Sequence, residues 1–387
     1  MKTVYVDNNA TTKTAPEVVD AMLPYFSEFY GNPSSMHSFG GEIAGKIEEA
    51  RAKVANLINA RPDEIVFTSC GTESDNTAIV SAIESRPDKK HIITTRVEHP
   101  AVKNICSNLP EKGYRVTFVP VDNKGRLDID YLYDSIADDT ALISIMWANN
   151  ETGVIFPIED IARNLADRNI FFHTDAVQAV GKLPIDVTKT PVDLLSLSGH
   201  KLHAPKGIGA LYIRKGTRFS PFLIGGHQEK GRRGGTENVT SIIGLGKACE
   251  LAAEHIQEEI VKVSRLRDRL EMEIINKIPQ SIINGDRESR LPGTVNISFK
   301  YIEGEAILLM MNQLGICASS GSACTSGSLE PSHVLRSMGV PYTASHGSIR
   351  FSLCRYNTDE EIDYIVEKLP SIIESLRKVS PFWKQAG

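Results

Sequence analysis

The sequence predicts an α/β protein, a mostly parallel sheet covered by helices and followed by a smaller α+β unit. Three observations carry this expectation. Short apolar runs recur along the first half of the chain: EIVFTSC, HIITT, RVTFVPV, ALISIMW, FFHTD and LLSLS. Helical stretches at 128–137 and 158–168, and helix openings at Gly71 and Pro100, separate them, which is the alternation of βαβ units. A polar residue also follows run after run, namely Thr72, His99, Asn150, Asp175 and Lys201. In open α/β sheets ligands sit beyond the strand ends, so these five exits are expected to converge on one edge.

Composition narrows the class. At 387 residues the chain can bury two sizeable cores, and 41% apolar with 24% charged residues is ordinary for a globular protein. A net charge of −5 offers no general attraction to nucleic acid or acidic membranes. MKTVYVDNNATT lacks the apolar core of a secretory signal, and no apolar run nears the ~20 residues of a membrane span, so a cytoplasmic enzyme is expected. The six cysteines (Cys70, Cys106, Cys249, Cys317, Cys324, Cys354) form no CxxC pair and no zinc spacing.

Taken in order, VYVDNNATT reads as a short strand entering a polar turn. PEVVDAMLPYFSEFY, with Pro16 in its favoured first turn, reads as one helix. Residues 40–46 fit the start of a phosphate-binding P-loop, but Ile47 stands where Ser or Thr should bind Mg²⁺ and no strand precedes; an amphipathic helix is predicted instead. After the strand EIVFTSC, Gly71-Thr72-Glu73 opens a helix, and a strand, small-residue turn and helix N-terminus make an anion site by construction, with Thr72 adding a hydroxyl. The glycine-rich stretch 225–239 carries Arg232 and Arg233 and reads as a mobile loop suited to an anion. From Ser241 to about Lys277 the pattern is helical throughout. That length exceeds a usual globular helix, so a domain boundary is placed near Gln257. The large domain is then 15–257, and the small one 1–14 with 258–387.

Two features carry chemistry. A carboxylate past one strand and a lysine past its neighbour suit pyridoxal phosphate, whose aldehyde takes a lysine amine and whose pyridine nitrogen is held protonated by an acid. Asp175 is that acid and Lys201 that amine; Lys206, in the turn before Gly207, is the competitor and reads as an exposed charge. His99, flat and at a strand exit, is placed to stack on the ring. Arg350, in SIRFS, suits bidentate binding of a substrate carboxylate. The second feature is Cys324, set in SSGSACTSGS, the only low-complexity segment. Gly/Ser chain is flexible, so a thiol there reads as a nucleophile that moves.

With these residues in hand, the sequence resembles the cysteine desulfurases of the NifS/IscS group. These are fold-type I pyridoxal-phosphate enzymes with a large domain built on a mostly parallel seven-stranded sheet and a smaller α+β domain. The matching motifs are DNNATT, GNPSS, TESDN, EHPAV, ANNETG, TDAVQ, SGHKLHAPKG, GTENV, SSGSAC and IRFSL, spread over nearly the whole chain. SGHK with a downstream SSGSAC is the specific pair. The Ser-rich cysteine segment is closer to the NifS type than to SufS-like enzymes.

The resemblance implies that Lys201 holds the cofactor covalently and moves the substrate Cα proton, and that Asp175 keeps the pyridine nitrogen charged. Gln178 would bond the ring oxygen, and His99 would stack and handle substrate protons. Gly71, Thr72, Ser198, Gly199 and His200 would surround the phosphate, with Thr236 reaching the cofactor of the other subunit in a homodimer. Asn150 and Arg350 would hold the carboxylate of L-cysteine. Cys324 would take its sulfur as a persulfide, leaving alanine, for an iron–sulfur scaffold or another acceptor; Cys324 is also a candidate for transient cluster ligation. Two departures stand out: Gly71 replaces a common alanine, a mild change, and the chain stops soon after SPFWKQAG, so a scaffold-docking tail is expected to be curtailed. A selenocysteine lyase or aminotransferase on the same fold needs no mobile cysteine, and an idle scaffold would be colourless.

Overall fold

The computed structural model describes residues 3–320 and 331–383. Seven strands form the central sheet: β2 (Ile65–Thr68), β3 (His91–Thr95), β4 (Arg115–Val119), β5 (Thr140–Ser144), β6 (Phe171–Asp175), β7 (Leu194–Ser198) and β8 (Gly209–Ile213). Their spatial order is β2-β8-β7-β6-β5-β3-β4. The pairs from β4 through β7 are parallel, while β8 runs antiparallel to both β7 and β2. The C-terminal ends of the other six strands therefore share one edge. Every residue of β2, β3 and β5–β8 is buried, whereas the edge strand β4 is partly exposed. Burial on both faces is why these segments read as unbroken apolar runs instead of alternating ones.

A smaller sheet joins β9 (Ser281–Asn284), β10 (Thr294–Phe299) and β12 (Ser348–Ser352) in the order β12-β10-β9, all antiparallel. The N-terminal β1 (Val4–Tyr5) pairs with β11 (Ile316–Cys317) beside it. The helix Val239–Lys277 runs unbroken for 39 residues, about 58 Å. Ile242, Leu245, Ala248 and Leu251 pack in the core of the large sheet, whereas Val263, Leu266, Leu270 and Ile274 pack with β10, β12 and the helix Asp359–Val379. The change of packing partner along this helix falls between Leu251 and Val263.

Two local expectations change. The helix predicted from Pro16 stops at Met22, and a short second one covers Pro24–Ser27, because Pro24 has no N–H to continue the ladder. The loop 225–239 is not a free anion trap. The Arg233 guanidinium is bonded to Glu73, Arg232 donates to the carbonyls of Asp63 and Glu229, and Glu229 holds Arg51 in a buried pair at 2.7 Å. Residues 40–46 lie within the helix Ser38–Leu57, as their pattern predicted.

Candidate active site

The strand exits meet as expected. A cavity of about 320 Å³ at the shared edge is lined by Gly71, Thr72, His99, Asn150, Asp175, Gln178, Ser198, His200, Lys201 and Arg350. These come from β2, β3, β5, β6, β7 and, from the small sheet, β12. Two residues named from the sequence stand elsewhere. Gly199 lies behind the wall, where a Cβ would meet Ile208 Cγ2 at 2.8 Å, so it permits close packing and offers no ligand. Thr236 borders a different cavity with Phe67, Gly207 and Glu229. Cys324 lies outside the described residues. Lys206 is exposed.

Lys201 enters on the short 3-10 turn after β7, and its Nζ donates to the carbonyls of Asn9 and, at 2.7 Å, Ala10. His99 is the N-cap of the helix Pro100–Asn108. Its Nδ1 accepts from the Ala101 N–H at 3.2 Å, so a neutral ring carries its proton on Nε2. Burial, and then the Lys201 charge, lower its pKa to about 4. The ring is thus neutral and fixed in tautomer at physiological pH. His200, whose Nδ1 is 3.2 Å from Thr11 Oγ1, is lowered to about 4 chiefly by burial and then by Lys201.

Asp175 accepts from the Val177 N–H at 2.9 Å, and burial raises its pKa to about 6. Asp75, on the cavity wall, is pushed well above the carboxylate range by burial and by Asp175. Two enclosed carboxyls facing one cavity are a receptor for a cation such as a protonated pyridine nitrogen. The anion end fits as well. The helix Gly71–Glu84 begins at the cavity with no side-chain cap, leaving its first-turn N–H groups without intrahelical partners, and the buried Ser198 Oγ has no partner among the described residues. A Cβ on Gly71 would stand 2.8 Å from Val177 Cγ2 and 3.3 Å from Ser198 Cβ, so glycine lets this helix start sit close to the sheet. The residues present fit pyridoxal phosphate, which when bound supplies an electron sink at the substrate Cα.

Arg350 is 2% exposed and held by Asp7 at 2.7 Å and by the Asn150 carbonyl at 3.0 Å, while its Nε has no partner among the described residues. That leaves part of a pre-aimed guanidinium fork for a substrate carboxylate. The sequence reading passed over Asn9, Asp75, Cys70 and Asp7. Cys70 and Asn9 both line the cavity, and Asn9 sits in the DNNATT turn, whose position against the sheet is a tertiary matter.

Glu98 lies behind the ring-binding wall. Its Oε1 accepts from Thr95 Oγ1 (2.8 Å) and the Met146 N–H (3.0 Å), Oε2 has no partner among the described residues, and burial raises its pKa to about 8. A carboxyl with a raised folded pKa contributes stability below its unfolded value, near 4.5, and loses it as pH rises through about 8. Glu98→Gln is therefore expected to gain on the wild-type apoprotein between pH 5 and 8.5, by on the order of 4 kcal/mol. Urea unfolding at the two pH values checks this; a pH-independent difference would refute it.

Comparison with known proteins agrees with this geometry. The family model described as aminotransferase class-V matches residues 4–365. The chain is 60% identical to a cysteine desulfurase of Trichormus azollae, over 100% of its own length and 98% of that protein. It is 58% identical to the cysteine desulfurase NifS of Azotobacter vinelandii, covering 100% and 96%. A solved NifS-like protein superposes with a TM-score of 0.91 at 40% identity, covering 97% of this chain and 100% of that one. Matched along its length in both sequence and shape, and carrying a cavity fitted to pyridoxal phosphate, the chain belongs to the class-V aminotransferase family of pyridoxal-phosphate enzymes.

Proposed function

We propose that the chain is a pyridoxal-phosphate-dependent cysteine desulfurase, which moves sulfur from L-cysteine to the Cys324 thiol and releases L-alanine. The observation that carries this reading is the single cavity where the Lys201 amine, the Asp175 carboxyl and the Arg350 fork face one another. Arg350 and Asn150 bind the substrate carboxylate and so present the Cα–H to Lys201, which removes and returns that proton. His99, neutral and donating through Nε2, is the group suited to hold a proton near the substrate amine or sulfur. Ser319 is paired through its backbone with Arg350, and Cys324 follows five residues later, a span of at most about 18 Å of chain. That length of chain allows the thiol to reach the arginine proposed to bind the substrate.

Cysteine in, alanine and a persulfide out, balances without an external oxidant. An iron–sulfur scaffold is the acceptor class this reading favours, and Cys324 would be the cluster's transient ligand there. On the proposed two-unit division, 15–257 against 1–14 with 258–387, residue 324 belongs to the small unit. A homodimer belongs to the same reading. Phe26, Tyr30, Met36, Phe222 and Ile224 are exposed apolar side chains, and Thr236 stands away from this chain's own cavity, where it can serve a second copy. Among the described residues no helix is long and apolar enough to cross a membrane.

The test is stoichiometry: with a thiol reductant, alanine and sulfide should appear one for one from L-cysteine, with no requirement for a 2-oxo acid. A 2-oxo acid requirement would move the assignment to an aminotransferase, and turnover confined to selenocysteine to a lyase. Arg350→Lys, which keeps the charge but loses the fork, is expected to raise KM for L-cysteine by about 10- to 100-fold with a smaller change in kcat. An unchanged KM would remove Arg350 from the substrate site.

A further inference from the structure

Behind Lys201 lies a second lysine that the proposed chemistry leaves unused. Gly181, at φ +77°, turns the chain after the Asp175–Gln178 segment and directs Lys182 back beneath it. Lys182 Nζ donates to Gln178 Oε1 at 2.7 Å and to Asn9 Oδ1 at 3.1 Å. Gln178 Nε2 donates to the Asn9 carbonyl at 3.0 Å, and that same carbonyl accepts from Lys201 Nζ. Asn9 is itself fixed: its Nδ2 donates to Thr294 Oγ1 at 2.9 Å and to the Asn150 carbonyl at 3.1 Å.

This arrangement leaves the Gln178 amide one orientation. A backbone carbonyl only accepts, so the face of the amide toward Asn9 must be Nε2. Lys182 presents hydrogens, so the face toward it must be Oε1. Flipping the amide would set Oε1 against the Asn9 carbonyl and Nε2 against Nζ. The second N–H of Gln178 is then available to the cavity that Gln178 lines. Lys182 and Lys201 also both line a narrow cleft of about 30 Å³.

We propose that Lys182 is a positioning residue of this active site, which locks the Gln178 amide with its N–H toward the cofactor and places a second cation beside Lys201. The proposal rests on the pyridoxal-phosphate reading above. Burial lowers the Lys182 pKa to about 7, the Lys201 and Arg350 charges add to the fall, and the Glu259 carboxylate opposes it; the nearby Cys354 thiol is neutral near pH 7. Below about pH 7, where Lys182 is an ammonium, its charge beside Lys201 favours the unprotonated state of the Lys201 nitrogen. Both effects act through Lys182 without contact with substrate.

The experiment uses the full-length holoenzyme and two variants, with the pH midpoint of the bound cofactor's visible absorption and the cofactor Kd of the reconstituted apoprotein as readouts. Lys182→Met removes donor and charge: the midpoint should rise by about one unit and the Kd weaken about tenfold. Lys182→Gln keeps a donor for Gln178 and removes only the charge, so the midpoint should rise while the Kd stays within about threefold. Lys182→Met combined with Gln178→Ala should bind the cofactor no more weakly than Gln178→Ala alone, because the first residue acts through the second. A Lys182→Gln protein with an unmoved midpoint, or additive losses in the double variant, would overturn the proposal; if Lys182→Met does not fold, Lys182→Gln decides. A wild type that binds no cofactor would instead overturn the reading beneath it, a result visible before any variant is made.

Discussion

Lys201→Ala is expected to give a folded, colourless protein whose desulfurase rate falls by about 10⁴-fold or more. The fold should survive because Lys201 is only partly buried and its two carbonyl acceptors keep other options: Asn9 O retains the Gln178 N–H, and Ala10 O borders the cavity. The stability change should therefore stay within about 1 kcal/mol. Activity should not survive, because among the described residues no other amine lines the cavity with Asp175. Lys182 is tied to Gln178 and Asn9, and Lys206 is exposed on a turn outside the cavity. Lys206→Ala is the matched control and should keep both colour and rate. Visible absorption, urea unfolding and sulfide release measure the three quantities separately. A colourless Lys206→Ala beside a yellow Lys201→Ala would reverse the assignment.

Cys324→Ala should do the opposite to the spectrum and the same to turnover. The bound cofactor's absorption should persist while sulfide release from L-cysteine drops by about 10³-fold or more. The other cysteines limit what could substitute. Burial raises the thiol pKa of Cys106 and Cys249 to about 12 and that of Cys354 to about 11, so none forms thiolate near neutrality. Cys317 is engaged on β11, whose partner strand is β1. Cys70 is the serious rival, because it lines the cavity at the start of the helix Gly71–Glu84. Its neighbours Thr72 and Ser198 are the groups proposed for the phosphate, so it would stand at the anion end of the cavity, away from the Arg350 fork that would hold the substrate. Cys70→Ala is accordingly expected to stay within about threefold of wild type. Loss of sulfide release in Cys70→Ala, with Cys324→Ala unaffected, would transfer the nucleophile.

The buried strands and their exits could be read directly because each is local. An apolar run followed within a few residues by a polar group places that group at a sheet edge, and βαβ handedness with parallel pairing brings successive edges to one side. Thr72, His99, Asn150, Asp175 and Lys201 were legible for that reason, and so was the rejection of residues 40–46 as a nucleotide site. The arginines of 225–239 were misread because their partners, Glu73 and the Asp63 carbonyl, are about 160 residues away in the chain and invisible to a window.

The same distance explains what the linear pattern withheld about the site. Asn9 and Lys201 are 192 residues apart, and Asn9 and Lys182 are 173 apart. Their meeting depends on the turn Asp7–Thr12 bridging the two sheets, with Asn8 bonded to Ser352 and Thr12 to His200. The apolar runs and the residues at their exits were enough to read an α/β chain with an acid and an amine at one sheet edge and an arginine proposed for a substrate carboxylate. Only the tertiary packing decided which backbone carbonyl faces that amine, which second lysine lies behind it and which way the Gln178 amide points. Such relations are set by side chains closing on one another across the sheet edge, and hydrogen bonds of that kind leave no period in a sequence.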